Sequence, residues 1–210
     1  MKAALAILVA AASAAAAAQP APAERAPDSV VVSGVDDAPR RGTYVEASLG
    51  VFTAMGGSRP FSSGQPYLAM TLGRDLGDRA AIFASLGLGA ARASCYQASP
   101  TGGSCLGADS FGATFLELGA SFGFPIAPRT LFGLKIIGGV TDLSPGPVQQ
   151  NGSVPDHIPG VHVGAGFALD YDTHLDHFAV GLDAVVRETF ARDGLRIPSL
   201  AVMPRIRYVF

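Results

Sequence analysis

The chain has 210 residues, 49% of them apolar and only 15% charged, with 26 Gly, 15 Pro and no Trp. Its formal net charge is −2, from 15 basic and 17 acidic residues, and no basic run is longer than Arg40-Arg41, so the electrostatic footprint of a nucleic-acid-binding protein is missing. Beyond the N-terminal leader no apolar run reaches the roughly 18 residues of a membrane-spanning helix, which leaves a Gly-rich β protein compatible with a membrane.

Lys2 supplies a short positive start, Ala3 to Ala12 an apolar stretch, and Ala16-Ala17-Ala18 a small-residue cleavage site. Residues 1–18 therefore read as a secretory signal peptide cut before Gln19. No cysteine lies near that site, so a lipoprotein anchor is not expected. Residues 19–41, rich in Pro, Ala, Asp and Arg, read as a periplasmic linker, with one β-like run at Val30-Val31-Val32.

From Thr43 onward the apolar residues recur with period two, the signature of strands with one apolar face. Val45, Ala47, Leu49 and Val51 mark the first strand, Leu68, Met70 and Leu72 the second, and Ile82, Ala84, Leu86 and Leu88 the third. Leu116, Leu118, Ala120 and Phe122 mark the fourth, Phe132, Leu134, Ile136 and Val140 the fifth, and Val161, Val163, Ala165, Phe167 and Leu169 the sixth. The seventh carries Phe178, Val180, Leu182, Ala184 and Val186, and the eighth Leu200, Val202, Ile206, Tyr208 and Phe210.

Connections near Leu76–Arg79, Pro125–Arg129 and Asp172–Asp176 are tight, whereas Ala54–Gly64, Ala93–Ser110, Asp142–Pro159 and Phe190–Ile197 are read as longer loops. This alternation predicts an all-β fold over residues 42–210. It is an eight-stranded antiparallel up-and-down transmembrane β-barrel, with short periplasmic turns and longer extracellular loops, in the bacterial outer membrane. A soluble lipocalin-like barrel has the same strand order but needs a solvated outer face. Here the second face is too rich in Gly and too poor in polar residues for that role, and it suits a narrow interior. Glu46, Glu117, Lys135, Asp170, Asp183, Arg187, Arg205 and Arg207 all fall on it, which predicts an ion-pair network filling the lumen. An eight-stranded barrel is just wide enough for its own side chains, so a passive pore is the weaker alternative.

The chain ends Arg205-Ile206-Arg207-Tyr208-Val209-Phe210, with Ile206, Tyr208 and the final Phe210 on one face. That ending resembles the C-terminal segment by which bacterial outer-membrane barrels engage their assembly machinery. The expected partners are outer-membrane lipid, that machinery and other envelope or motility proteins, and no nucleic acid.

Three segments carry a narrower resemblance: Gly42 to Phe52 (GTYVEASLGVF), His174 to Asp183 (HLDHFAVGLD) and Ile197 to Arg205 (IPSLAVMPR). They resemble the adventurous gliding motility outer-membrane β-barrel family of myxobacteria and their relatives. The resemblance implies a structural or interaction component of a gliding apparatus, working through partners and without chemistry of its own.

Catalysis, metals and cofactors are not expected. Some small outer-membrane barrels are lipid hydrolases, but none of His157, His162, His174 and His177 stands in a recognisable triad spacing with a nucleophile, and no G-x-S-x-G occurs. Asp172, His174, Asp176 and His177 offer zinc-type ligands within one turn, yet Asp is a common turn residue and the bland reading is a polar turn at the membrane boundary. Cys95 and Cys105, the two cysteines, fall within the second long loop of an exported chain, and a disulfide between them is expected. The restraint is worth roughly 3 kcal/mol in the chain-entropy picture. Non-reduced mass analysis of native protein should find no free thiol, and two free thiols would refute the pairing.

Overall fold

The computed structural model describes residues 41–56, 61–92, 110–148, 153–175 and 177–210. The expected signal peptide and most of the expected linker lie outside them, as do Cys95, Cys105 and Asp176. Eight strands are formed: β1 (Thr43–Ala54), β2 (Gln65–Leu76), β3 (Ala80–Arg92), β4 (Ser110–Ala127), β5 (Thr130–Ser144), β6 (Ile158–Asp172), β7 (Phe178–Ala191) and β8 (Arg196–Val209). Each pairs antiparallel with its sequence neighbour, and β8 closes onto β1 from Tyr44↔Val209 to Ala54↔Ser199. No edge strand is left.

The register fixes the barrel's dimensions. Stepping across ladder partners from Tyr44 through Gly73, Phe83, Gly119, Ile137, Gly164, Arg187 and Ser199 returns to β1 at Ala54, ten residues beyond the start. With about 3.3 Å per residue and about 4.7 Å between strands, that offset tilts the strands by about 41°. Each residue then advances about 2.5 Å along the axis, and the 12 residues of β1 span about 30 Å, the thickness of a bilayer's hydrocarbon core.

The faces separate as the sequence pattern predicts. On β1, Tyr44, Glu46, Ser48, Phe52 and Ala54 are buried inside, while Val45, Leu49 and Val51 are exposed outside. The same alternation leaves Met70, Leu118 and Ile136 65%, 70% and 67% exposed on an apolar exterior. Glycine makes the interior wide enough for its aromatic rings. A Cβ on Gly73 would sit 2.2 Å from Tyr44 Cζ, and one on Gly87 2.1 Å from the Tyr67 hydroxyl.

Several predicted boundaries are corrected. Phe190–Ile197 is not a long loop: β7 runs to Ala191 and β8 starts at Arg196, joined through a single 3-10 turn at Arg192–Gly194. Gly194, at φ +72, permits the tight reversal, and Thr189 and Ile197 keep the buried phase of their strands. Likewise β5 extends to Ser144 and β6 begins at Ile158, so the Asp142–Pro159 connection is shorter than expected. The β4–β5 turn shrinks to Pro128 and Arg129, the latter at φ 63. Strands of 12 to 18 residues thus replace the roughly 9–11 needed to cross hydrocarbon, because pairing continues past that band.

The loop rim is closed from within. Phe111, Leu143, Val148, Ile158, Leu195 and Ile197 are buried there in one apolar cluster, with Val148 and the adjoining Pro147 contributed by the β5–β6 connection. Below this apolar layer lies the charged interior.

Candidate functional site

All eight predicted lumen residues point inward, and the register brings them together in two groups. Nearer the termini rim, Arg205 on β8 donates to Glu46 on β1 and, at 2.5 Å, to Asp170 on β6. Its Nε also lies 3.2 Å from Asp183 Oδ1, within ion-pair range but not aligned as a hydrogen bond. Lys135 on β5 donates to Asp183 at 2.6 Å. Arg207 donates to Glu46 at 2.7 Å, lies 4.0 Å over the Tyr44 ring, and is 3.8 Å from Asp75. Three cations and four carboxylates are therefore interleaved across strands far apart in sequence.

The second group sits toward the loop rim. Arg187 Nε donates to Glu117 at 2.6 Å and its Nη2 to the Tyr67 hydroxyl at 3.0 Å, with the guanidinium 5.3 and 5.0 Å from the Tyr67 and Phe115 ring centres. His162 shares that carboxylate, its Nε2 3.3 Å from Glu117 Oε1, while its Nδ1 is 2.6 Å from Thr141 Oγ1. The edge of the ring meets Phe115 at 5.3 Å. Phe52, Tyr67 and Phe115 complete an aromatic layer with centroids 5.8 to 6.3 Å apart.

Between the groups is a void of about 30 Å³ lined by Ser48, Thr71, Ser85, Lys135, Asp183 and Arg187, among others. That is room for about one or two waters. The interior is thus a stack of an apolar layer, an aromatic layer with Arg187, and an ion cluster.

Chemistry at the histidines is limited by where they sit. Thr141, His162 and Glu117 form a hydroxyl–imidazole–carboxylate chain, but all three are at most 3% exposed. The three side chains are enclosed within the barrel. His157 pairs with Asp142 at 2.7 Å on the exposed loop side. In the β6–β7 turn, His174 contacts Arg129 at 2.6 Å and His177 Nδ1 lies 2.6 Å from the Val209 carbonyl, so these two rings are engaged with different elements. No group of three metal-type ligands occurs among the described residues.

At the C-terminus, Ile206 and Phe210 are exposed on the outer face, and Tyr208 packs between Phe178 and Phe210 at 5.0 and 5.1 Å. The Phe210 amide donates to Thr43 O at 2.9 Å, tying the last residue to the start of β1. Sequence reasoning missed Asp75, which it left beside a turn, and the Tyr44 and Tyr67 rings that cover the two arginines. The period-two pattern of β2 places Asp75 and Tyr67 on the inner face, the one signal that was available for them.

No protein-family model and no curated protein matches the chain. Among solved structures, Neisserial surface protein A superposes with a TM-score of 0.57 at 17% identity, over 80% of this chain and 97% of that one. The attachment invasion locus protein of Yersinia pestis gives 0.45 at 11% identity, over 80% and 100%. The N-terminal β-barrel domain of Pseudomonas aeruginosa OprF gives 0.44 at 12%, also over 80% and 100%. The first of these shares the eight-stranded closed fold.

Proposed function

We propose that this chain is a non-enzymatic outer-membrane β-barrel that serves as a structural or interaction component of the envelope. The observation that carries this reading is the inversion of faces. Leu118, Met70 and Ile136 stand outside, and Glu46, Lys135, Glu117 and Arg205 inside, around a closed ladder about 30 Å tall. A large apolar exterior is stable only against lipid, and closure of the ladder leaves no edge strand to expose its backbone to hydrocarbon. The lumen is filled, which supports a role exerted through the rims and argues against flux. Reconstituted in a planar bilayer, the purified barrel is expected to give no steady conductance above the bare membrane. Discrete, reproducible channels would instead favour the passive pore.

The same reading holds that the barrel is exported by its signal peptide and inserted by the outer-membrane assembly machinery, with Ile206, Tyr208 and Phe210 as the recognised face. Deleting Phe210, or replacing it with Asp, should lower the yield of folded protein in the outer membrane while leaving leader cleavage unchanged. Cell fractionation with heat-modifiable gel mobility reads both effects, and undiminished folded yield counts against the role of this segment. The gliding-motility role follows from the resemblance of the three barrel segments. Its test is recovery of motility-apparatus proteins with the crosslinked barrel, and it fails if deletion of the gene leaves gliding intact and no such protein co-purifies.

A further inference from the structure

The wall of the barrel has one interrupted seam. Between β1 and β8 the ladder runs from Tyr44↔Val209 to Ser48↔Arg205, skips Leu49 and Gly50 against Met203 and Pro204, and resumes at Val51↔Val202. The other ladders are continuous, apart from a register shift beside the β4–β5 turn. Pro204 is the cause. The Phe210 amide donates to Thr43 on β1 and the Val209 amide to His177, just ahead of β7, so the even-numbered residues of β8 face β1. Pro204 is in that phase and has no N–H to offer the Leu49 carbonyl. Pro198 is in the same phase, and accepts from the Met55 amide at 2.7 Å without donating in return. Between these two prolines only Leu200 and Val202 can donate to β1.

We infer that the loop-side half of the β1–β8 seam is a lateral gate, hinged at Leu49 and Pro204, through which the wall opens toward apolar chains outside. The two halves of the seam are held differently. On the termini side Glu46 of β1 accepts from both Arg205 and Arg207 of β8, a charged latch across the seam. Beyond Leu49, β1 carries no charged residue, and among the described residues no ion pair crosses the loop-side half. The inner residues there are Phe52 and Ala54 on β1 and Ala201 and Met203 on β8, all at most 4% exposed, with the buried Ser199 hydroxyl beside them. Parting the termini half would bring the ion cluster against hydrocarbon, which is costly, whereas parting the loop half uncovers mostly apolar side chains. Gly50 has no side chain to cover the interruption from within, and a Cβ there would sit 2.1 Å from the Val202 carbonyl oxygen. A segment with fewer ladder bonds and no charged latch is the one that opens locally while the rest stays closed. Only the lipid on the far side of the opening rests on the membrane reading proposed above.

The test is amide hydrogen exchange, resolved by residue with NMR, on the whole barrel folded in detergent, so that the behaviour of the seam is read apart from the membrane reading. The Val51, Thr53 and Val202 amides should exchange roughly tenfold faster than those of Gly139, Thr141 and His162, in the loop-side half of the continuous β5–β6 ladder. Val45, Ala47 and Ile206, on the latched side, should stay slow. Pro204→Val supplies the missing N–H and should slow Val51 and Val202 several-fold, with no change at Gly139, Thr141 and His162. If that variant does not fold, Pro198→Val serves instead, since it restores a donor toward Met55 and should slow Thr53 and Leu200. Simple fraying from the loop end would make both ladders exchange alike. Equal rates in the two ladders, or fast exchange at the seam that the restored donor does not slow, overturns the gate.

Discussion

Replacing Arg205 with Met is expected to destabilise the barrel by about 3–5 kcal/mol, the cost of leaving buried charge without its partner. Arg205 is 3% exposed and, among the described residues, is the one side chain paired with Glu46, Asp170 and Asp183 together. Glu46 retains Arg207 and Asp183 retains Lys135 after the change, but Asp170 loses its hydrogen-bonded cation. Arg207→Met should cost less, because Glu46 keeps Arg205 and Asp75 stands only at 3.8 Å. Urea unfolding of the barrel refolded in vesicles measures both. Adding Asp170→Asn to Arg205→Met should recover part of the loss by removing the orphaned charge. If Arg205→Met unfolds like the parent, the lumen is hydrated enough to solvate its carboxylates, and the filled interior described above is wrong.

On the outer face the largest effect is expected from Leu118→Arg, at about 2–4 kcal/mol near the bilayer midplane. Leu118 is 70% exposed and pairs across the ladder with Ala84 and Gly138, near the middle of β3, β4 and β5. Hydrocarbon surrounds it in the proposed setting, so an added guanidinium has neither water nor a carboxylate. Thr71→Arg on the inner face meets a different limit. Thr71 Oγ1 donates to Ser85 at 3.1 Å beside the small central void, and the new side chain is restricted by space. Folding into vesicles followed by urea titration distinguishes the two faces. Equal tolerance of both substitutions would remove the basis for assigning one of them to lipid.

The strand count, the face assignments and the membership of the charged lumen were legible in the sequence because each depends on period two alone. Glu46, Lys135 and Arg205 lie on inner-phase positions of their own strands, and no knowledge of neighbours was needed to place them. Partner identities were not legible. Arg205 meets Asp170 and Glu46 because of ladder register and barrel closure, and a sequence separation of 159 residues between Arg205 and Glu46 carries no local trace. The same holds for the division into two groups, which is set by the contacts that the register makes between strands distant in sequence. The Phe190–Ile197 misreading had another cause. Asp193-Gly194 reads as the centre of a loop, yet the alternation through Thr189 and Ile197 continued on both sides of it. Turn chemistry marked the site of reversal and did not reveal how tight the reversal was.

The central claim is that an apolar exterior faces lipid and a charged interior fills the lumen. It is tested most directly by placing single cysteines along β2, in a background with Cys95 and Cys105 replaced by Ser, and labelling each with a fluorophore after folding into vesicles that contain a lipid-borne quencher. Labels at Leu68, Met70 and Leu72 should be strongly quenched, and labels at Ala69 and Thr71 should be protected, a clean alternation along consecutive residues. Uniform quenching, or quenching in the opposite phase, would contradict the account.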